Sequence, residues 1–291
     1  MPWIRILRAD QWTKNLILLA GLIFSQRFFE LSYYWNVVCA FFSFSLLSST
    51  IYVINDIVDC DLDRQNPEKC KRPLPSGDLS MKQAVLLSLC ICGGSFLLAY
   101  SLHSSVFLKI WLAYLIMMIL YSFVLKHIPI MDVGILGFGF VLRAQAGVTV
   151  IQEPLSHLFL SCAFFLALFL GFCKRRHECL HIDMKRQRKV LKYYTRKSLS
   201  SLILAFAVVT VGTYLLYALS PDTLERFDGR SFLWSFPFVL LGVGRYLQLV
   251  FIYRLGGHPE RILLTDLVII ASVVCWVLSI FCVIYGGAFG L

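Results

Sequence analysis

The sequence predicts an all-α fold, a polytopic membrane bundle of about nine transmembrane helices, and three observations carry that prediction. Of its 291 residues, 58% are hydrophobic and only 15% charged, a balance far from that of soluble domains. Mostly apolar stretches of about 20 residues, enough to cross a hydrocarbon core roughly 30 Å thick as a helix, recur along the whole chain. Lysines and arginines are sorted onto alternate connections between these stretches, as in multi-pass proteins.

The first stretch, 13–30, is the least regular, because Lys14 opens it and Gln26 and Arg27 close it. The second, 34–58, runs straight into an acidic motif. Three more follow at 81–102, 105–125 and 131–151, then 156–173, which ends at a basic motif, and finally 199–219, 231–253 and 266–286. That the second and sixth stretches both end in charge hints at two four-helix halves, but no sequence repeat supports it. The expected organisation is one transmembrane bundle domain over 1–291, with loops 59–80 and 174–198 lying over the active site. Arg5, Arg8 and Asp10 precede the first stretch without a short apolar core and small-residue cleavage site, so no cleavable leader is expected.

Of the 27 lysines and arginines, 21 fall on the side of the N-terminus and four on the other, with Arg143 and Arg245 inside predicted helices. The positive-inside rule then gives a cell-membrane protein whose N-terminus and long loops are cytoplasmic and whose C-terminus is outside. The net charge of +10 is thereby explained by topology and by anionic headgroups; no nucleic-acid partner is expected. The ten cysteines include no CxxC pair and sit within helices or cytoplasmic segments, which reads as reduced thiols. The oligomeric state is left open.

The densest chemistry lies in NDIVDCDLDRQNPEKCKRPLPSG, 55–77. At 100° per residue, Asp56, Asp59 and Asp63 fall within an arc of about 60° on a helix continued from the second stretch. Asn55 and Tyr52 border that arc, and Asp61 lies away from it. Three carboxylates at a membrane mouth repel one another unless a cation joins them, and hard oxygens suit Mg²⁺, which keeps waters and shares a substrate phosphate. The competing reading is a solvated acidic loop balanced by its neighbours. Arg64, Lys69, Lys71 and Arg72 follow, then the turn-forming PLPSG; of these, Arg72 and Lys69 are the candidates for holding a departing pyrophosphate, and Lys71 is equally readable as a phosphate contact or a positive-inside charge.

NDIVDCDLDR…KRPLPSG resembles the first Asp-rich motif, with its downstream RPxxSG, of the UbiA-type intramembrane prenyltransferases. QWTKN (11–15), YSFVLKH (121–127), LRAQAG (142–147), CKRRHE (173–178), YT (194–195) and RY (245–246) are similar, in the same order, to the decaprenyl-phosphate phosphoribosyltransferase branch of that family. The resemblance implies a UbiA-like bundle with nine helices, a Mg²⁺-dependent site at the cytoplasmic mouth, phosphoribosyl diphosphate as donor and a polyprenyl phosphate as acceptor. It also implies roles for Lys14 and Asn15 at the donor's phosphate and ribose, and places Tyr121, Lys126, Tyr194 and Arg245 among the substrate-binding residues. Lys126 is equally readable as a positive-inside lysine, and Arg245 as an interfacial anchor.

Family members that use a prenyl diphosphate carry, as the resemblance implies, a second aspartate motif after the sixth helix. Here that position reads CKRRHECLHIDMKRQRK, with Lys174, Arg175 and Arg176 where acids are expected and only Glu178 and Asp183 acidic. Such a segment suits direct phosphate binding; Lys174 and Arg175 are proposed for the acceptor's phosphate, with Glu178 positioning the lysine or completing a metal shell. HECLH, 177–181, is also a literal HExxH zinc motif, but it lies among cations that oppose Zn²⁺. Arg143, roughly 17 Å into its helix at 1.5 Å per residue, is too deep to snorkel; it reads either as a brace beneath the substrate pocket or as a structural partner of a buried group.

The expected activity is Mg²⁺-dependent transfer of a 5-phosphoribosyl group to a polyprenyl phosphate, with release of pyrophosphate. The alternative enzyme moves a prenyl group from a prenyl diphosphate to an aromatic or other small acceptor, and the missing second acid cluster argues against it. A non-catalytic transporter or scaffold would use the aspartates as an ion path, yet they lie at the bilayer edge rather than its midplane.

Overall fold

The computed structural model describes residues 2–67, 69–153, 156–181, 189–227, 229 and 232–286, and every regular element among them is helical. Eight segments are long and apolar enough to cross a membrane. They are built on α3 (Tyr34–Val58), α5 (Met81–Ser101), α6 (Ser105–Phe123), α7 (Met131–Thr149), α8 (His157–His181), α9 (Arg196–Leu219), α11 (Phe236–Phe251) and α13 (Leu267–Tyr285). Short helices α1 (Pro2–Leu7), α2 (Ile17–Phe24), α4 (Cys60–Arg64), α10 (Pro221–Arg226) and α12 (Pro259–Thr265) complete the set.

The irregular first stretch takes a mixed form, a 3₁₀ segment Ala9–Leu16 leading into α2. This first stretch is not one of the eight candidate spans among the described residues. Some predicted boundaries move. Helix α8 runs on to His181 rather than stopping at 173, so Lys174, Arg175 and Glu178 stand on a helix and not in a loop. The physical cause is local: Arg175 Nη1 donates to Glu178 Oε2 at 2.5 Å, an i,i+3 pair that carries the helix through charged sequence. Helix α9 begins at Arg196 because the Thr195 hydroxyl caps it, accepting from the Ser198 N–H at 3.0 Å.

The helices group into two compact units, Met1–Pro154 with Asp183–Val190, and Leu155–Ile182 with Leu191–Leu291. In the first, Phe44 meets Phe107 and Tyr114 edge-on, with ring centroids 5.7 and 5.4 Å apart, and Leu18, Leu47 and Trp111 fill the core around them. Lipid offers no hydrophobic drive between helices, so close backbone approach and interhelical hydrogen bonds hold them. Ser43 on α3 and Ser95 on α5 each donate to the other's carbonyl oxygen, at 2.9 and 2.8 Å, and Trp111 Nε1 donates to Ser95 Oγ at 2.9 Å. In the second unit, Phe172 stacks on Phe206 between α8 and α9 at 5.3 Å, Trp276 Nε1 donates to the Tyr214 hydroxyl at 2.8 Å, and Arg176 Nη1 donates to the Val250 carbonyl at 2.8 Å.

Helices α2 and α7 meet at two glycines. A Cβ on Gly147 would stand 2.7 Å from Leu18 Cα, and one on Gly21 would stand 3.0 Å from the Gly147 carbonyl carbon. Backbone, not a flexible side chain, is in the way. Gly147→Ala is therefore expected to destabilise the first unit by about 1–3 kcal/mol, the usual cost of overpacking, visible as a lowered unfolding temperature in detergent; an unchanged temperature would refute this packing account.

Candidate active site

The candidate site forms where α3 gives way to α4. The helices part at Asp59, yet helical hydrogen bonding continues through the joint: Asp59 N–H donates to the Asn55 carbonyl at 2.9 Å and Asp63 N–H to the Asp59 carbonyl at 2.8 Å. The i, i+3, i+7 spacing therefore keeps its meaning. Asp56 and Asp63 share one face and are buried, 1% and 3% exposed, with Asp59 at 9%. Asp61 points away, its side chain 92% exposed and paired with Arg64 at 3.1 Å.

Carboxylates this deeply buried cost several kcal/mol each unless a charge and hydrogen bonds answer them. Four cations answer these. Arg72 Nη1 donates to Asp56 Oδ1 at 3.1 Å and to Asp63 Oδ2 at 2.5 Å. Lys69 Nζ lies 3.6 Å from Asp63 Oδ1. Arg8 Nη2 donates to the same Asp56 Oδ1, and the Arg8 guanidinium stands 5.1 Å from the centre of the Tyr52 ring. Lys126, 2% exposed, donates to Asp59 Oδ1 at 2.6 Å and to Asn55 Oδ1 at 3.2 Å; Asn55 Nδ2 in turn donates to Asp59 Oδ2 at 3.1 Å. Two subsites result, Asp56 with Asp63 and Asp59 with Asn55.

Arg72 is placed by the residues after it. Pro73, Leu74 and Pro75 are buried, Leu74 and Leu79 pack with Ile6, Val53, Cys60 and Ala84, and Gly77 takes a positive φ of 86° in the turn. Leu79 N–H closes the turn onto the Pro73 carbonyl at 3.0 Å, and Ser80 then caps α5 in a capping box with Gln83. The guanidinium is held below its ordinary pKa first by burial and then by Arg8, against the opposing pull of Asp56 and Asp63. Lys71, by contrast, is exposed, and its carbonyl accepts from Arg5 Nη2 at 2.7 Å.

Deeper in the same unit lies a second polar group. Arg143, 5% exposed, donates from Nε to Asn15 Oδ1 at 2.7 Å and from Nη2 to the Tyr114 hydroxyl at 2.5 Å. Its charge also sits over the Tyr114 and Phe140 rings, 4.8 and 5.3 Å from their centres. Asn15 is fully buried and donates from Nδ2 to Ser45 Oγ at 3.0 Å, so both ends of its amide are used within the protein. Lys14 Nζ donates to Gln11 Oε1 at 2.6 Å. Tyr121 is buried in the core of the unit.

The second unit carries the remaining candidates. Arg175, 2% exposed, is paired with Glu178 as described, and Lys174 is half-buried one residue before it. Tyr194 packs edge-on against Phe172 at 6.4 Å. Arg245 Nη2 donates to Asp266 Oδ2 at 2.9 Å and Nη1 to Gln248 Oε1 at 2.6 Å. Asp266 also caps α13, accepting from the Ile269 N–H at 3.1 Å, and the Arg245 hydrogen bond holds its carboxyl below the usual range. In the HExxH segment, His177 Nδ1 lies 3.2 Å from the Arg254 carbonyl oxygen; the side chain of His181, and Asp183, fall outside the described residues.

The chemistry of the donor set suits a divalent cation. Carboxylate oxygens are the right ligands, and one nitrogen of Arg72 already touches Asp56 and Asp63 together, so these two converge on one cationic point. Mg²⁺ typically uses one or two carboxylates, water and a substrate phosphate rather than a full protein cage. The pair fits that requirement, while no group of three or more His, Cys, Asp or Glu side chains is gathered among the described residues. Sequence reasoning missed Arg8, which meets Asp56 across 48 positions of chain, and Tyr114, the partner of Arg143. The one available signal for Arg8 was a cation three residues ahead of the QWTKN motif.

Residues 16–262 match the UbiA prenyltransferase family. The chain is 31% identical to the decaprenyl-phosphate phosphoribosyltransferase of Mycolicibacterium smegmatis, over 97% of this chain and 92% of that protein. It is 30% identical to the enzyme of the same name from Corynebacterium glutamicum, over 97% and 86%. A UbiA homolog from Archaeoglobus fulgidus, solved with DMAPP and Mg²⁺, shares the fold at a TM-score of 0.73, covering 98% of this chain and 99% of the other at 21% identity. With its family match spanning most of its length and its helices arranged as in a solved homolog, the chain belongs to the UbiA prenyltransferase family and is a membrane-embedded transferase.

Proposed function

We propose that this transferase moves a 5-phosphoribosyl group from phosphoribosyl diphosphate to a polyprenyl phosphate and releases pyrophosphate, with Mg²⁺ as cofactor. The observation that carries the reading is an asymmetry of charge. The Asp56–Asp63 pair in the first unit is suited to one metal-bound diphosphate, whereas the end of α8 in the second carries a net positive charge, with Lys174 half-buried, Arg175 paired with Glu178 and Arg176 bound to the Val250 carbonyl. One diphosphate donor and one anionic acceptor match that asymmetry. The names of the relatives at about 30% identity agree with it.

Asp56 and Asp63 would hold Mg²⁺, which would supply positive charge beside the departing pyrophosphate. Arg72 and Lys69 then bind the leaving group's oxygens, and Lys126 keeps Asp59 and Asn55 in place beside it. The bond from C1 of the ribose to the diphosphate oxygen breaks, and a bond from C1 to an oxygen of the lipid phosphate forms. No general base is needed, since a phosphate monoester with a second pKa of about 6 is already anionic at pH 7. Lys174 orients that anion, with Arg175 beside it held by Glu178, and catalysis rests on positioning and on stabilising the leaving group. Asn15 acts through Arg143, which braces the interior below the aspartates, while Lys14, Tyr121, Tyr194 and Arg245 are supporting contacts. The cation asymmetry of the sequence supports a cytoplasmic site with the C-terminus outside.

Three outcomes are expected. Purified protein given Mg²⁺, labelled phosphoribosyl diphosphate and polyprenyl phosphates should produce a lipid-soluble label; faster turnover of a prenyl diphosphate with an aromatic acceptor would overturn the assignment. Asp56→Asn and Asp63→Asn should each lower kcat/KM by about 100-fold or more, the scale of lost charge stabilisation at a reacting centre, while Asp61→Asn should change it less than about twofold by the usual tolerance of surface sites. Equal losses in all three variants would refute the helical-face assignment. Lys174→Ala should raise KM for the lipid phosphate about tenfold, one lost charged contact, with KM for the donor little changed; the reverse pattern would move Lys174 to the donor.

A further inference from the structure

Asp56 Oδ1 accepts from both Arg8 and Arg72, while Arg72 also spans to Asp63 and Lys69 stands beside it. Two carboxylates thus face three cations. The acids are the fixed partners: their side chains are 2% and 4% exposed, against 21% for Arg8 and 27% for Arg72. The guanidiniums sit at the boundary with solvent, where they can turn outward without unburying a carboxylate.

Arg8 arrives on a strap formed by α1 and the residues after it. Ile6 is buried among Val53, Leu74 and Leu79, Leu7 accepts from the Ser49 hydroxyl at 2.7 Å, and Arg5 holds the Lys71 carbonyl. These anchors fasten the backbone that leads into Arg8. The side chain, by contrast, is held by Asp56 and at the same time lies over the face of Tyr52.

We propose that Arg8 and Arg72 are the resident cations of the Asp56–Asp63 pair, that a divalent cation competes with them for these carboxylates, and that the released guanidiniums become contacts for the donor's phosphates. The proposal rests on the Mg²⁺-dependent reading above and adds Arg8 to the donor site. Its physical basis is exchange of like for like. A buried acid pair keeps a cationic partner at every stage, so neither state leaves an unanswered carboxylate in the membrane mouth, and the released guanidiniums attract a diphosphate.

The test reads metal binding rather than turnover. Mn²⁺, visible by electron paramagnetic resonance, is titrated into the purified full-length protein without donor. Arg8→Gln should bind Mn²⁺ about tenfold more tightly than the native chain, because one charged competitor has been removed, and should bind phosphoribosyl diphosphate more weakly. Equal or weaker Mn²⁺ binding by the variant overturns the exchange while leaving the metal reading intact. No Mn²⁺ uptake by the native protein, with or without donor, overturns both. Should Arg8→Gln fail to fold, Arg72→Gln takes its place: it should bind Mn²⁺ about tenfold more tightly than the native chain, and equal or weaker binding overturns the exchange.

Discussion

A carboxylate at the edge of a bilayer must have a cation, and most of what is particular about the first unit follows from meeting that requirement three times within eight residues. Asp56, Asp59 and Asp63 are buried at the end of a membrane-crossing helix, where leaving any one unpaired would cost several kcal/mol. The partners come from three separate parts of the chain. Arg8 is delivered by the N-terminal strap, Lys69 and Arg72 by the turn-rich connection to α5, and Lys126 by the 3₁₀ turn after α6. Folding the unit and assembling the site are therefore one process.

The supporting packing serves the same end. The connection 65–80 has few apolar residues, yet Leu74 and Leu79 bury themselves against α1, α3 and α5, which fixes the backbone that presents Arg72. Where helices must come close, side chains are omitted, as at Gly21 and Gly147, or polar and small, as at Ser43 and Ser95. Such contacts replace the hydrophobic drive that lipid cannot supply. Below the aspartates, Arg143 is satisfied by an amide, a phenol and two aromatic faces. Among these partners there is no carboxylate, so the interior retains a positive charge beneath an acidic mouth.

The two units divide their charge unequally. Acid pairs suited to one metal lie in the first; the end of α8 in the second is basic, with Arg175 already stabilised by Glu178 on the next turn. Lys174 at that end is half-buried, and Arg175 is 2% exposed within its ion pair to Glu178. On the proposed reading, the choice between a donor that needs a second metal and an acceptor that brings its own negative charge comes down to a few side chains at that one helix end.

The sequence by itself determined the helices, their membrane setting and the identity of the acidic face. Twenty-residue apolar runs can satisfy their backbone in lipid only as helices, and i, i+3, i+7 spacing fixes a face whatever the surroundings, which is why spacing alone sets Asp61 apart from Asp56 and Asp63. Helix ends were less legible. The extension of α8 to His181 is accompanied by an Arg175–Glu178 pair that the sequence shows only as charge, and the first stretch mixes 3₁₀ and α geometry that hydropathy does not distinguish. Only the tertiary structure decided which cation answers which acid. Lys126 to Asp59 and Arg8 to Asp56 are joined across 67 and 48 positions of chain, and nothing local marks one lysine or arginine from the others on the same side of the membrane. Pairing at that range is settled by how helices pack and by the cost of leaving any charge buried alone.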